Sequence, residues 1–167
     1  VKHRALAPFS SGDGMVLKSG GEDLILVLGG DGSILRALAR EAGSGAPVIG
    51  INYGRVGFLA SIERESLERD LRRALAGDFT GLGLPSLKAT WADGEVEAVN
   101  DLALLRSGDS RIADLTYAVD DEVVATVRCD GVILSTPVGS TAYNLAAGGP
   151  TVSWRVRCFV LSFIALH

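Results

Sequence analysis

Leu24-Ile25-Leu26-Val27-Leu28-Gly29-Gly30-Asp31-Gly32-Ser33 runs from an unbroken apolar stretch straight into a cluster of glycines around one carboxylate. A short continuous apolar run predicts a strand buried on both faces of a parallel sheet. Gly29 and Gly30 end it. Ser33 is placed to cap a following helix, whose apolar positions Ile34, Leu35, Leu38 and Ala39 share one side. Pro47 to Ile51 predicts a second buried strand. Glu65 to Ala76 predicts a second helix, with Leu67, Leu71, Ala74 and Leu75 on one face and Gly77 as its stop. Strand, helix, strand, helix is the order of an open α/β sheet.

After Gly83 the pattern changes. Leu87–Trp91 and Glu95–Val99 alternate about Asp93-Gly94, a strong hairpin signal, and Leu115–Val119 and Glu122–Val127 flank Asp120-Asp121 in the same way. Val132-Ile133-Leu134 and Arg157 to Ile164 add strands, and the apolar stretch Val156 to Leu166 reads as a buried one. The expectation is therefore an α/β nucleotide domain over residues 1–85 and a β-rich domain over 86–167.

Composition sets the class. The 167 residues are 47% hydrophobic and 22% charged, which excludes an intrinsically disordered chain. A net charge of −4 argues against non-specific nucleic-acid binding. No apolar run reaches the roughly 20 residues of a membrane helix, and there is no signal-peptide pattern. Cys129 and Cys158 have no partners at metal-ligand spacing and read as reduced thiols of a cytoplasmic protein. Residue 1 is Val, and the chain stops one residue past an apolar run. The expectation is a fragment with an unfinished β-domain, inactive alone.

Four stretches carry chemistry. Asp31, between glycines at a strand-to-helix turn, lies at the carboxyl edge of the sheet, where α/β folds bind ligands. Gly30 and Gly32 leave backbone N–H groups open to phosphate, and the carboxylate can take a hydroxyl proton or hold Mg²⁺. For this tetrapeptide alone, a plain Gly-Asp-Gly turn is an equally good reading; the Gly-Lys-Ser/Thr of a P-loop is absent. In Gly50-Ile51-Asn52-Tyr53-Gly54-Arg55-Val56-Gly57-Phe58-Leu59, Phe58 is available to stack on a base, or is simply core. Asn100-Asp101 could hold an adenine edge and ribose hydroxyls, although in isolation turn chemistry is the better reading. Asp130 to Gly149 is more specific, with Ser135, Thr136, Ser140, Thr141, Tyr143 and Asn144 crowded around Pro137 and Gly139. Arg36, Arg111 and Arg128 stand near these motifs and could neutralise phosphates; solvated surface charges are at least as good a reading.

Taken in order over roughly residues 20 to 152, these motifs, with Ser-Thr-Pro-x-Gly-Ser-Thr-Ala-Tyr and Gly148-Gly149-Pro150, resemble the bacterial NAD kinase family. The first motif is shared with phosphofructokinases and diacylglycerol or sphingosine kinases, but the last is specific. The resemblance implies transfer of a phosphoryl group from ATP or polyphosphate to the adenosine 2′-hydroxyl of NAD. Mg²⁺ or another divalent cation would accompany ATP, and the assembly would be a homodimer or homotetramer. It puts Asp31 on the catalytic aspartate, with Gly32 and Arg36 in the same nucleotide site. It puts Asn100 and Asp101 on the pair that grips the dinucleotide, and Asp130 on a second ribose carboxylate. Arg111, Thr141, Ala142, Tyr143, Asn144, Leu145 and Ala146 fall on binding positions.

Asp101 stands where the family usually has Glu, Val138 replaces Thr or Ser, and Cys129 replaces Gly. The family's first strand and helix and its closing strands are missing. A lipid or sugar kinase sharing Gly-Gly-Asp-Gly is the alternative enzyme, and a dinucleotide-binding regulator without turnover is the alternative outside catalysis.

Overall fold

The computed structural model describes residues 3–5, 15–19, 24–42, 44–53, 57–107 and 113–167. The chain divides into two compact units, Val1–Gly83 and Leu84–His167. Each is a small fold built on one central strand.

In the first unit that strand is β3 (Ile25–Gly29), followed by α1 (Asp31–Arg40), β4 (Val48–Asn52) and α2 (Leu67–Leu75). β3 and β4 pair in parallel, Leu26 opposite Ile49 and Leu28 opposite Ile51. Alternate residues of β3 serve two cores, as expected for a strand covered on both faces. Ile25 and Val27 pack with Ile34 and Ala37 of α1, and Leu26 packs with Ile49, Ile51, Ile62 and Ala74, the last on α2. Gly77, at φ +78°, ends α2 in the left-handed region that glycine reaches at no steric cost.

Several expectations need correction here. The sheet is mixed, because β1 (His3–Ala5) and β2 (Met15–Ser19) add antiparallel strands in the order β1-β2-β3-β4. Ser33 is not the helix cap. The helix begins at Asp31 with the extended residue Gly30 before it, and the Gly30 carbonyl accepts the Ser33 and Ile34 N–H groups. That earlier start leaves Ser33 buried inside the first turn. The buried stripe of α1 includes Ala37, whereas Ala39 is exposed. The second helix opens with a 3-10 turn, Arg64–Ser66, and its α-helical part is shorter than expected.

The second unit centres on β10 (Gly131–Ser135), with antiparallel neighbours β7 (Asp101–Leu105) and β11 (Val160–Ile164). Two hairpins accompany it, β5 (Leu87–Trp91) with β6 (Gly94–Ala98) and β8 (Ala113–Val119) with β9 (Glu122–Cys129). Asp120 and Asp121 take φ of +49° and +65°, the backbone of the tight turn that matches strand twist. The other turn is Ala92-Asp93 rather than Asp93-Gly94, because Gly94 pairs with Trp91 and lies against its indole. The final strand starts at Val160, not Arg157. Of its residues only Val160 and Ser162 are buried, while Val156, Phe159 and Leu166 stay exposed. It is therefore buried on one side, not throughout.

At Gly50, Ile34 of α1 lies close against β4. A Cβ there would lie 2.9 Å from Ile34 Cγ1 and 3.3 Å from the Ala60 backbone, and Ile34 is itself buried. Gly50→Ala is therefore expected to destabilise the protein by about 1–3 kcal/mol through overpacking. Urea unfolding measures this, and an unchanged midpoint would refute the close packing.

Candidate active site

In the first unit the focus is Asp31, the first residue of α1. Both of its carboxylate oxygens are engaged by backbone from 27 and 28 residues away: Phe58 N–H donates to Oδ2 at 2.8 Å and Leu59 N–H to Oδ1 at 3.1 Å. Gly57 lies against the same carboxylate, where a Cβ would approach Asp31 Cγ to 2.7 Å. Next to it, Gly32 is exposed, with nothing within 4 Å of a Cβ built on it. A carboxylate is thus fixed at the positive end of a helix whose glycine side is open, an arrangement that suits a phosphate-bearing ligand. Phe58 is not core, since its side is 67% exposed. Arg36, one turn along, is exposed and its guanidinium reaches Ser33 Oγ at 3.5 Å.

In the second unit, Asn100-Asp101 meets the loop that follows β10. Thr136 N–H donates to the Asn100 carbonyl at 2.9 Å, and Thr136 Oγ1 donates to the Val99 carbonyl at 2.7 Å. Gly139 presses on that same Asn100 carbonyl, so no side chain fits there. The backbone N–H groups of Tyr143 and Asn144 hydrogen-bond the Asp101 carboxylate. Even so, two side-chain atoms, Asn100 Oδ1 and Asp101 Oδ1, are buried with no hydrogen-bond partner. Orphaned buried acceptors are costly unless a ligand meets them. Burial outweighs the two N–H groups and holds the Asp101 carboxyl above the ordinary carboxylate value.

The hydroxyl cluster is used differently from its appearance in sequence. Ser135, Thr136 and Ser140 are fully buried and bond backbone: Ser140 Oγ donates to the Pro137 carbonyl at 2.6 Å and accepts Val152 N–H at 3.0 Å. Thr141 reaches the Val138 carbonyl at 3.4 Å. Asn144 is also fully buried. Its Nδ2 donates to the Ser140 and Pro150 carbonyls at 3.0 and 2.9 Å, and its Oδ1 accepts from Ser162 Oγ at 2.7 Å. These side chains hold the loop together. Tyr143, Leu145 and Ala146 are exposed and Ala142 half-buried.

Asp130 is half-buried, with Arg106 donating to its Oδ1 at 2.8 Å. Arg106 went unrecognised in the sequence. Pairing of Leu105 with Gly131 makes Arg106 and Asp130 neighbours, a relation visible only once the register is known. Arg128 belongs to the exposed β8–β9 hairpin and pairs there with Asp114 at 3.0 Å. Arg111 lies outside the described residues, as do Gly54, Arg55 and Val56.

A Gly-Gly-Asp-Gly turn opening a helix behind a doubly buried strand, followed by a β-built unit with orphaned acceptors, makes this a chain of two units, one α/β and one β-rich. The ATP-NAD kinase N-terminal domain family matches residues 10–79 and the ATP-NAD kinase C-terminal domain family residues 99–167. The chain belongs to the ATP-NAD kinase family. It is 42% identical over 150 residues to an NAD kinase of Symbiobacterium thermophilum, covering 87% of this chain and 53% of that protein. Over 136 residues it is 43% identical to an NAD kinase of Corynebacterium diphtheriae, covering 78% and 43%. Two solved structures are similar. An NAD kinase from Archaeoglobus fulgidus in complex with ATP has a TM-score of 0.74 and 36% identity, covering 86% of this chain and 56% of that one. Yeast NADH kinase complexed with NADH has a TM-score of 0.76 and 28% identity, covering 86% and 44%. The chain thus spans about half the length of the relatives it matches.

The Asp101 environment generates a stability test. With its folded-state carboxyl raised above the ordinary 3.8, the folded protein holds this proton more tightly than the unfolded chain. That stabilising contribution is complete below the ordinary carboxylate value and is lost as pH rises through the folded value. Asp101→Asn keeps an acceptor for the Tyr143 and Asn144 N–H groups and removes the buried charge. It is expected to be more stable than the parent at pH 7 and to flatten the profile above the ordinary carboxylate range. Urea midpoints across pH measure this; an unchanged slope there would contradict it.

Proposed function

We propose that this protein is an NAD kinase, transferring the γ-phosphoryl group of ATP, or a phosphoryl group of polyphosphate, to the adenosine 2′-hydroxyl of NAD. The observation that carries this reading is Asp31, a carboxylate pinned at the open glycine start of α1 in a chain whose two halves each match the family's domains. In the reaction the 2′-oxygen forms a bond to the γ-phosphorus while the bond from that phosphorus to the β–γ bridging oxygen breaks. ADP leaves with the electron pair, and the hydroxyl proton goes to Asp31.

The α1 N–H groups at Gly32 and the Arg36 guanidinium would meet phosphate oxygens. The orphaned Asn100 Oδ1 would accept from an adenine amino group and Asp101 Oδ1 from a ribose hydroxyl. Asp130, oriented by Arg106, would bind the second ribose, and the exposed Phe58 ring would stack on a base. Tyr143 to Ala146 would border the dinucleotide.

Among the described residues no group of three His, Cys, Asp or Glu side chains could cage a metal ion. Mg²⁺ would be carried on the nucleotide beside Asp31, since Mg²⁺ in kinase sites keeps most of its waters and phosphate ligands. When bound, the ion neutralises charge on the phosphate oxygens. The reading also includes domains over 1–85 and 86–167, a homodimer or homotetramer, and a cytoplasmic setting, where the thiols of Cys129 and Cys158 stay unpaired. No helix among the described residues is long and apolar enough to cross a membrane.

Incubation of the full-length protein with Mg-ATP or polyphosphate and NAD is expected to yield NADP. Phosphorylation of sphingosine or fructose 6-phosphate but not NAD would overturn the reading, and NAD binding without NADP would favour a regulator. Asp31→Asn is expected to lower kcat by about 10²–10⁴-fold with little change in NAD affinity, the range of general-base assistance. Asp130→Asn, at a binding carboxylate, is expected to raise KM for NAD with kcat nearly unchanged. Steady-state kinetics separate the two, and identical or exchanged patterns would refute this division of roles.

A further inference from the structure

We propose that the Gly57–Leu59 backbone is a cradle that aims the Asp31 carboxylate, and that Gly57 is a positioning residue for phosphoryl transfer. The inference rests on the reading of Asp31 as the group that receives the substrate proton.

Three observations carry it. Each Asp31 oxygen accepts one N–H, from Phe58 at 2.8 Å and from Leu59 at 3.1 Å. Two donors on two oxygens fix both the side-chain torsions and the plane of the carboxylate, where one bond would leave it free to swing. Gly57 has no conformational need to be glycine, because its φ is outside the left-handed region, which Gly45, Gly77 and Gly148 do occupy. What excludes a side chain at residue 57 is the Asp31 carboxylate itself, all three of whose terminal atoms lie within 3.0 Å of a Cβ built there. Finally, the residue donating to Oδ2 is Phe58, whose ring is exposed. One residue therefore supports the carboxylate through its backbone and presents its ring to solvent.

A loop that merely closed the fold would use any local acceptor. Here the sequence spends a glycine and two adjacent N–H groups on one carboxylate far away in the chain. Catalytic groups lose rate steeply when misaimed, with a displacement near 1 Å costing on the order of 10²-fold. Gly57→Ala should shift the carboxylate by its methyl group while leaving phosphate-binding backbone and ribose contacts in place.

The test is a double-mutant cycle on the purified full-length protein, with a second readout that needs no turnover. Gly57→Ala is expected to lower kcat by about 10²-fold while KM for NAD and for ATP stays within about 2-fold. In an Asp31→Asn background the same substitution should cost less than about 2-fold, because there is no longer a carboxylate to aim. Equal losses in both backgrounds, or a change in KM alone, would overturn the proposal. In ¹⁵N-labelled protein the Phe58 and Leu59 amide resonances should move upfield in Asp31→Ala, and failure of both to move would also overturn it. If the parent protein forms no NADP, the functional reading fails, and the amide shifts alone decide whether the cradle exists.

Discussion

Ser135, Thr136, Ser140 and Asn144 are buried without being apolar, and burial of so many polar groups is tolerable only if the chain satisfies them itself. That requirement dictates the composition of their loop. Thr136 ties the loop to Val99, Ser140 ties it to Val152, and Asn144 clamps two carbonyls while accepting from Ser162 on β11. Gly149 lies so close to Asn144 that a Cβ would sit 2.6 Å from its Cγ. Three of these bonds close the loop on itself, and two tie it to parts of the unit distant in sequence, at Val99 and Ser162. The buried part of the loop is therefore tied to the rest of its unit.

Such rigidity gives meaning to the two acceptors left over. In a mobile loop an unpartnered oxygen would turn to water; in a locked one, Asn100 Oδ1 and Asp101 Oδ1 stay buried and unpaired. Their cost falls on the free protein, and a ligand that supplies donors recovers it. Asp31 in the other unit follows the opposite strategy. Its oxygens are both held, and the open element beside it is backbone at Gly32. One unit offers a prepared carboxylate beside exposed N–H groups, the other offers unmet acceptors. A charged phosphate and the amino and hydroxyl donors of a nucleoside call for those two chemistries respectively.

Much of this was legible in the sequence where local rules govern. The doubly buried strand at Ile25–Gly29, the helix after it, the Asp120-Asp121 turn and the strand at Gly131–Ser135 follow from apolar runs and turn chemistry. The exact start of α1 was not, because Gly30 ends one element and begins the next, so Ser33 looked like a cap when it lies inside the first turn. The structural use of the Ser135, Thr136 and Ser140 hydroxyls was not legible for a deeper reason. A hydroxyl that satisfies buried backbone and one that meets a substrate are the same residue in a sequence, and only burial separates them. Arg106 and the Gly57 contact were invisible because both depend on partners 24 and 26 positions away, fixed by strand register and loop path.

The departures from the family pattern take on a physical meaning in this light. Val138, where a hydroxyl residue is usual, is only 2% exposed and follows the buried Pro137. A hydroxyl there would need its own buried partner, so its loss changes packing inside the loop and removes nothing from a surface that could meet a ligand. Cys129, in place of a glycine, is likewise buried, on the strand that leads to Asp130. Asp101 is different, because its carboxylate is held by Tyr143 and Asn144 N–H groups and still carries an orphaned oxygen. Of the three departures, this is the one that alters how the site presents an acceptor; the other two act only through the interior that keeps the site rigid.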